Sequence, residues 1–213
     1  MIPQTEQHLE RRISQGEGET LDFKFQITSS RKIAISLVAF ANTIGGSLLI
    51  GVKDNGKIAG VVTDEEWHMV EAAAHMYTKP KIELSRKVWQ INHKRVLEVI
   101  VTPSEEIYKA EVDPDKWRTF IRIADENIAI NRIIAQTIKK EVEPKAVGAL
   151  NENELNLIRL FKDAASFSLN QWVKKSDLSK KRAEQILTNF ILWGLIDWHI
   201  QSDGSIRYSI AAD

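Results

Sequence analysis

The sequence predicts an α+β fold, in which a mixed sheet with flanking helices is followed by a small domain of helices and a hairpin. Up to about residue 140, segments with strand periodicity alternate with helical segments, and tight turns join several neighbouring strands. This pattern favours a mixed sheet over a parallel one. The segment 141–151 contains Pro and Gly and has little periodicity, which is typical of a linker. The predicted domains are therefore 1–140 and 152–213.

The composition excludes several classes of protein. The chain of 213 residues has no Cys, which excludes disulfides, zinc–thiolate sites and thiol nucleophiles. Its 29 basic and 29 acidic residues balance, so attraction to nucleic acid must come from local clusters of charge. No apolar run approaches the roughly 18–20 residues of a membrane span, and the N-terminus lacks the apolar stretch of an export signal. We therefore expect a cytoplasmic protein with no membrane partner.

The first domain begins with a helix and a short strand. Residues 5–15 have a helical pattern. Leu21 and Phe23 then alternate with Asp22 and Lys24, which is the period of a strand with one solvent-facing side. On the residue pattern alone, Asp22 and Lys24 are solvated.

A helix and a hairpin follow. Ser29 or Ser30 can cap a helix that runs to about Asn42. The apolar run 47–52 predicts a central strand, and the Asn-Gly of the 54–57 turn predicts a hairpin whose partner strand is "IAGVV". The remaining elements expected in this domain are a helix over 63–76, strands at 82–91, 95–102 and 117–124, and a helix over 131–140.

The second domain has the element order of a winged helix-turn-helix. Helical patterns cover 152–164 and 168–176, and a third helix begins after Ser179 and ends at Gly194. Two short apolar segments then flank "QSDGS", whose Asp-Gly indicates a hairpin. Three helices and a two-stranded wing follow from this order.

The stretch 39–60, "AFANTIGGSLLIGVKDNGKIAG", strongly resembles the signature of the Schlafen AlbA_2 family. The acids and lysine of 17–24, which include "ETLDFK", match the start of the same signature, and "TFIRIADEN" (119–127) resembles its later strand and turn. The resemblance covers about residues 10–140. It implies an AlbA_2-like domain that binds nucleic acid.

The resemblance also implies a possible catalytic site. In relatives with RNase activity three acids form the site, and Glu17, Asp22 and Asp54 occupy the corresponding positions here. Three carboxylates can hold one or two Mg²⁺ or Mn²⁺ ions that activate water. The chain departs from the pattern at Asp22, where the nuclease branch has Glu, and the shorter side chain loosens a metal site. Turn chemistry alone also accounts for Asp54.

Clustered cations are the candidate contacts to nucleic acid. Lys24 and Lys53 can neutralise phosphates beside the acids. In the second domain the candidates flank the turn before the third helix or lie in its first two turns, where a recognition helix meets the major groove. They are Lys174, Lys175, Lys180, Lys181, Arg182 and Gln185.

The function that the sequence favours is that of a DNA-binding transcriptional regulator to which both domains contribute, acting as a homodimer. The alternative is a metal-dependent endoribonuclease that acts on structured RNA such as tRNA through Glu17, Asp22 and Asp54. A second alternative is a protein–protein adaptor that binds no nucleic acid.

Overall fold

The computed structural model describes residues 4–138, 150–163, 165–176 and 178–211. The chain forms two compact units, Met1–Ala129 and Ile130–Asp213. Most of the linker predicted at 141–151 lies outside the described residues. In the described ranges, no helix is both long and apolar enough to span a bilayer.

The first unit contains most of the strands. Its elements in chain order are α1 (Gln4–Gln15), β1 (Leu21–Lys24), α2 (Ser30–Ala41), β2 (Gly46–Ile50), α3 (Glu65–Met76), β3 (Thr78–Lys79), β4 (Ser85–Ile91), β5 (Lys94–Val101), β6 (Lys109–Asp113), β7 (Lys116–Ile123) and β8 (Glu126–Ile130), whose last residue opens the second unit.

These strands form two four-stranded sheets. The first has the order β1-β2-β5-β4, in which β1 and β2 are parallel and the other pairs antiparallel. The second has the order β3-β6-β7-β8. The predicted mixed α+β architecture is therefore confirmed.

Helix α2 lies at the centre of this unit because its residues are apolar on more than one face. Leu37 and Val38 are fully buried, and α2 contacts both sheets. Alternation along β2 divides its side chains between two cores: Leu48 packs with α2, whereas Leu49 packs with Leu9 and the rest of the α1 face. The first sheet is thus covered by α1 on one face and by α2 on the other.

Several strand predictions were incomplete. The segment expected to return as a full strand after the 54–57 turn makes only isolated bridges, Val52 with Ile58 and Val61 with Arg95. Gly60, at φ +89°, interrupts regular pairing there. Strands β3, β6 and β8 were not predicted, since β3 has two residues and the others have charged or polar ends.

The second unit contains the remaining helices and the C-terminal hairpin. Its elements are α4 (Arg132–Ile138), α5 (Glu152–Asp163), α6 (Leu169–Lys175), α7 (Lys180–Leu192), β9 (Ile196–Ile200) and β10 (Ile206–Ile210). The predicted three helices and hairpin are all present. Trp172, Phe190 and Tyr208 are almost fully buried in their common core.

Helix α4 belongs with this second unit, whereas the sequence-based boundary at 140 places it in the first. Ile133 is buried in the same core as Leu157 and Phe161, and α4 contacts α7. The Asn131 side chain, just before α4, donates a hydrogen bond to the Tyr208 hydroxyl at 2.8 Å. The apolar face of α4 is therefore used in the helical core.

Candidate nucleic-acid interface

Glu17 and Asp22 come together at the start of β1, as their sequence positions predict. The Glu17 Oε1 accepts a hydrogen bond from the Phe23 N–H at 2.6 Å, which places Glu17 beside the strand that carries Asp22. Asp22 is only 3% exposed. The expectation of a solvated strand face was therefore wrong for Asp22, because β1 is covered on both sides.

Asp22 is held by cations and a hydroxyl. Its Oδ2 lies 2.8 Å from Lys24 Nζ and accepts a hydrogen bond from Ser36 Oγ of α2 at 3.3 Å. Its Oδ1 lies 3.2 Å from Arg122 Nη2 of β7, and Arg122 is 2% exposed. Both carboxylate oxygens are thus engaged by protein groups.

The network extends across the unit through Arg122. This guanidinium also donates to the carbonyls of Gly18 and Leu21 and to Asn127 Oδ1, and the Asn127 amide donates to Ser36 Oγ at 3.0 Å. Buried charges need such partners to offset the loss of hydration. The result is a hydrogen-bonded link between β1, α2, β7 and β8.

The two acids have opposite pKa shifts. Burial and then the hydrogen bond with Asp22 raise the pKa of Glu17 above its usual value, although the Phe23 N–H partly opposes this. Burial raises the pKa of Asp22, but the Lys24 ammonium, the hydrogen bond with Glu17 and the Arg122 guanidinium together lower it below its usual value. At neutral pH Asp22 is the ionised partner of the two basic side chains.

Asp54 does not join these acids. It is exposed in the turn after β2 and lines a cleft to which neither Glu17 nor Asp22 contributes. Among the residues that the structure describes, no three His, Asp or Glu side chains are grouped so that they could hold a metal ion. Because Asp22 is already bound by Lys24 and Arg122, this donor set does not fit the Mg²⁺ or Mn²⁺ site that the sequence allows.

The "AFANTIGG" part of the signature stabilises the fold. Asn42 is buried, its amide donates to the Tyr108 and Phe120 carbonyls at 2.9 and 2.8 Å, and its Oδ1 accepts from the Tyr108 N–H at 2.9 Å. A Cβ on Gly46 would lie 2.5 Å from the Phe40 ring. Gly46 thus allows close packing between α2 and β2, whereas Gly45 adopts a positive φ of +78° and lies against Pro103 and the Val101 carbonyl. Both glycines are explained without a bound phosphate.

The two lysines predicted beside the acids differ in their surroundings. Lys24 is occupied by Asp22 and by the Phe23 carbonyl, to which its Nζ donates at 2.8 Å. Lys53 is exposed, and its Nζ lies 5.0 Å from the centroid of the Phe25 ring. Only Lys53 of this pair is available to a phosphate.

In the second unit, α6 and α7 carry the other predicted cations. Ser168 and Gln171 form a capping box on α6, and Ser179 Oγ accepts from the Arg182 N–H to cap α7. The side chains of Lys174, Lys175, Lys180 and Lys181 are exposed, and Arg182 is half-buried and donates to the exposed Gln185. Within the described part of the chain, none of these basic side chains forms an ion pair.

Helix α4 adds a residue that the sequence did not single out. Arg132 and Gln136 of α4 line a cleft of about 220 Å³ with Lys181, Gln185 and Thr188 of α7. Thr188 is buried. Helix α4 thus covers the later turns of α7 on the side that borders this cleft, while the first turn of α7 stays exposed. Arg132 was missed because its helix was assigned to the first domain.

Arg122 and Asn127 were also missed in unit 1. Both lie in "TFIRIADEN", the segment whose resemblance to the family was noted, so a signal was present. Their role was hidden because Arg122 and Asp22 are separated by 100 residues.

Comparison with known proteins identifies the first unit by sequence. Residues 17–131, more than half of the chain, match the family described as Schlafen, AlbA_2. Comparison with curated proteins gives no match. Among solved structures, the crystal structure of the DIP2311 protein from Corynebacterium diphtheriae is similar at 22% identity and a TM-score of 0.45. That similarity covers 68% of this chain and 30% of the other.

Proposed function

The chain belongs to the Schlafen AlbA_2 family, and on that premise we propose that it is a DNA-binding transcriptional regulator. Membership indicates a nucleic-acid-related function, and the second unit supplies the means of binding a duplex. We assign that unit as a winged helix-turn-helix with α7 as the recognition helix, because three helices are followed by the β9–β10 hairpin.

The first turn of α7 is the observation that carries the proposal. It holds Lys180, Lys181 and Arg182, has no acidic residue, and lies at the N-terminal end of the helix. The helix dipole makes that end positive, so cations there are unfavourable by about 0.3–1 kcal/mol each. A DNA phosphate at the same place would offset this cost, because it interacts favourably with both the dipole and the lysines.

The acids of the first unit argue against metal-dependent cleavage. Because Asp22 is buried and paired with Arg122 and Lys24, it cannot take a metal ion without giving up those partners. We therefore derive no hydrolytic step from Glu17, Asp22 and Asp54. We further propose a homodimer, in which two copies of α7 reach two half-sites of one duplex.

Titration of a fluorescein-labelled duplex of about 24 base pairs, followed by anisotropy, tests the proposal. At about 0.1 M salt we expect the K180A/K181A variant to bind about tenfold more weakly than the parent, since two phosphate contacts are lost. The matched control, K116A/R118A, removes two exposed cations from β7 and should bind as the parent does. A stoichiometry of two chains per duplex checks the dimer.

Two results would overturn the proposal. The first is equal duplex binding by the parent and K180A/K181A. The second is cleavage of end-labelled tRNA in Mn²⁺ by the parent but not by E17A, which would make the chain an endoribonuclease. The absence of any salt-dependent binding to nucleic acid would favour the adaptor.

A further inference from the structure

Phe25 is an exposed aromatic side chain next to a buried strand. Its side chain is 46% exposed, whereas Phe23, two residues earlier, is fully buried. Fully burying a phenylalanine side chain stabilises a protein by about 1.5–3 kcal/mol, so a half-exposed ring gives up part of that stabilisation. The side chain lies one residue beyond β1, directly after the Lys24–Asp22 ion pair.

Backbone hydrogen bonds fix the end of β1, just before this ring, and the turn that carries Lys53. The Lys24 carbonyl accepts a hydrogen bond from the Gly51 N–H at 2.8 Å, which ties the end of β1 to the start of the hairpin turn. Within that turn the Lys53 N–H donates to the Lys57 carbonyl, and the Gly56 N–H donates to the Lys53 carbonyl. These bonds tie the end of β1, which precedes Phe25, to the segment that leads into the turn with Lys53.

A cation accompanies the ring. Lys53 Nζ lies 5.0 Å from the Phe25 centroid, within the range of a cation–π contact. Lys53 is exposed and, among the described residues, has no acidic side chain within ion-pair distance. It can thus contact the ring and an anion together.

The same turn borders a cleft of about 760 Å³. Phe23, Ile13 and Ile91 contribute apolar side chains to it, Asn55 and Lys57 contribute polar groups from the turn, and Glu10 and Asp54 contribute carboxylates. This size is in the range of sites for small molecules or parts of larger ones. Phe23, two residues before Phe25, and Asp54, next to Lys53, both line this cleft, so the ring and the lysine lie at its border.

We propose that Phe25 is a stacking platform for an unpaired base of a single-stranded nucleic acid, with Lys53 at the adjoining phosphate and the cleft receiving the neighbouring nucleotide. Base-stacking on an aromatic ring beside a cation is the usual means of binding single strands without reading their sequence. The inference rests on the proposed binding of nucleic acid, and it assigns the first unit to single strands while α7 binds the duplex.

Anisotropy titration of labelled 12-nucleotide single strands, one DNA and one RNA, tests this assignment. We expect F25L to bind about 5- to 150-fold more weakly than the parent, because leucine keeps apolar bulk but cannot stack. F25W should bind at least as tightly as the parent, and K53A more weakly. V88A, at another exposed apolar position in the first unit, is the control and should bind as the parent does.

The outcomes separate this inference from the proposed function. Weaker single-strand binding by F25L, with duplex binding unchanged and F25W at least as tight as the parent, supports it. The DNA and RNA strands then show which sugar is preferred. Equal single-strand binding by the parent and F25L overturns it even when the duplex is bound through α7. A parent that binds neither single strands nor duplex overturns both.

Discussion

Asp22 shows how a single residue can follow a strand pattern and still have a buried role. It alternates with Leu21 and Phe23, as a solvent-facing residue would, but Ser36 and Arg122 cover it. The closeness of Glu17 and Asp22 could be predicted from their spacing. The contact of Asp22 with Arg122 on β7 could not be predicted, because no local pattern links residues that lie 100 positions apart.

Removing Arg122 should destabilise the protein strongly. R122L would leave Asp22 buried with Lys24 as its remaining cation, and would also remove donors to two carbonyls. Loss of one partner of a buried pair costs about 3–5 kcal/mol, which urea denaturation measures. R118L, at an exposed arginine of the same strand, should change the free energy of unfolding by less than about 0.5 kcal/mol. Similar effects of the two substitutions would contradict a buried network.

The raised pKa of Glu17 predicts a pH-dependent effect of E17Q. A raised pKa in the folded state means that protonated Glu17 stabilises the fold; this contribution is complete below the unfolded value of about 4.5 and is lost as pH rises through the folded value. Glutamine imitates the protonated form, so E17Q should unfold at a higher temperature than the parent at pH 7. The lowered pKa of Asp22 has the opposite effect on the pH dependence of stability, but Asp22 is present in both the parent and E17Q.

Thermal unfolding at pH 7 and at pH 4 measures this difference. We expect the gain of E17Q to shrink as pH falls, because the parent then becomes protonated at Glu17. A gain that is equal at both pH values, or a loss at pH 7, would show that the neighbouring carboxylates do not interact as described.

Among the elements, α2 and β2 explain the most recognisable part of the sequence. The helix and the strand were both predicted within one or two residues of their bounds. The role of the residues between them was not predicted, because Asn42 forms hydrogen bonds with Tyr108 and Phe120, which are distant in sequence. The same limit applies to β3, β6 and β8, whose polar or short segments are ordered by their partners in the sheet.

The G46A substitution tests whether Gly46 is needed for close packing between α2 and β2. A Cβ there would meet the buried Phe40 ring at 2.5 Å, and overpacking of this kind costs about 1–3 kcal/mol. G18A is the matched control, since a Cβ on Gly18 would have no neighbour within 4 Å and neither glycine has a positive φ. Urea denaturation should show a loss for G46A and little change for G18A; a loss for both or neither would contradict the packing role.

At the scale of the whole molecule, the boundary between the two compact units lies after Ala129, whereas the sequence pattern places the end of the first domain at about residue 140. Periodicity identifies α4 as a helix, yet it cannot show which core receives Ile133. The placement of α4 against α7 matters for function, because it leaves the first turn of α7 as the exposed part of that face. Duplex contacts are therefore expected at Lys180, Lys181 and Arg182.

The most direct measurement is the salt dependence of duplex binding by the parent and K180A/K181A. For each phosphate contact that is lost, the slope of log K against log salt should become shallower by about 0.9. We predict that the double variant loses about 1.8 from the slope as well as affinity, whereas K116A/R118A keeps the slope of the parent. Identical slopes and affinities for the parent and K180A/K181A would contradict the assignment of α7 as the DNA-binding helix.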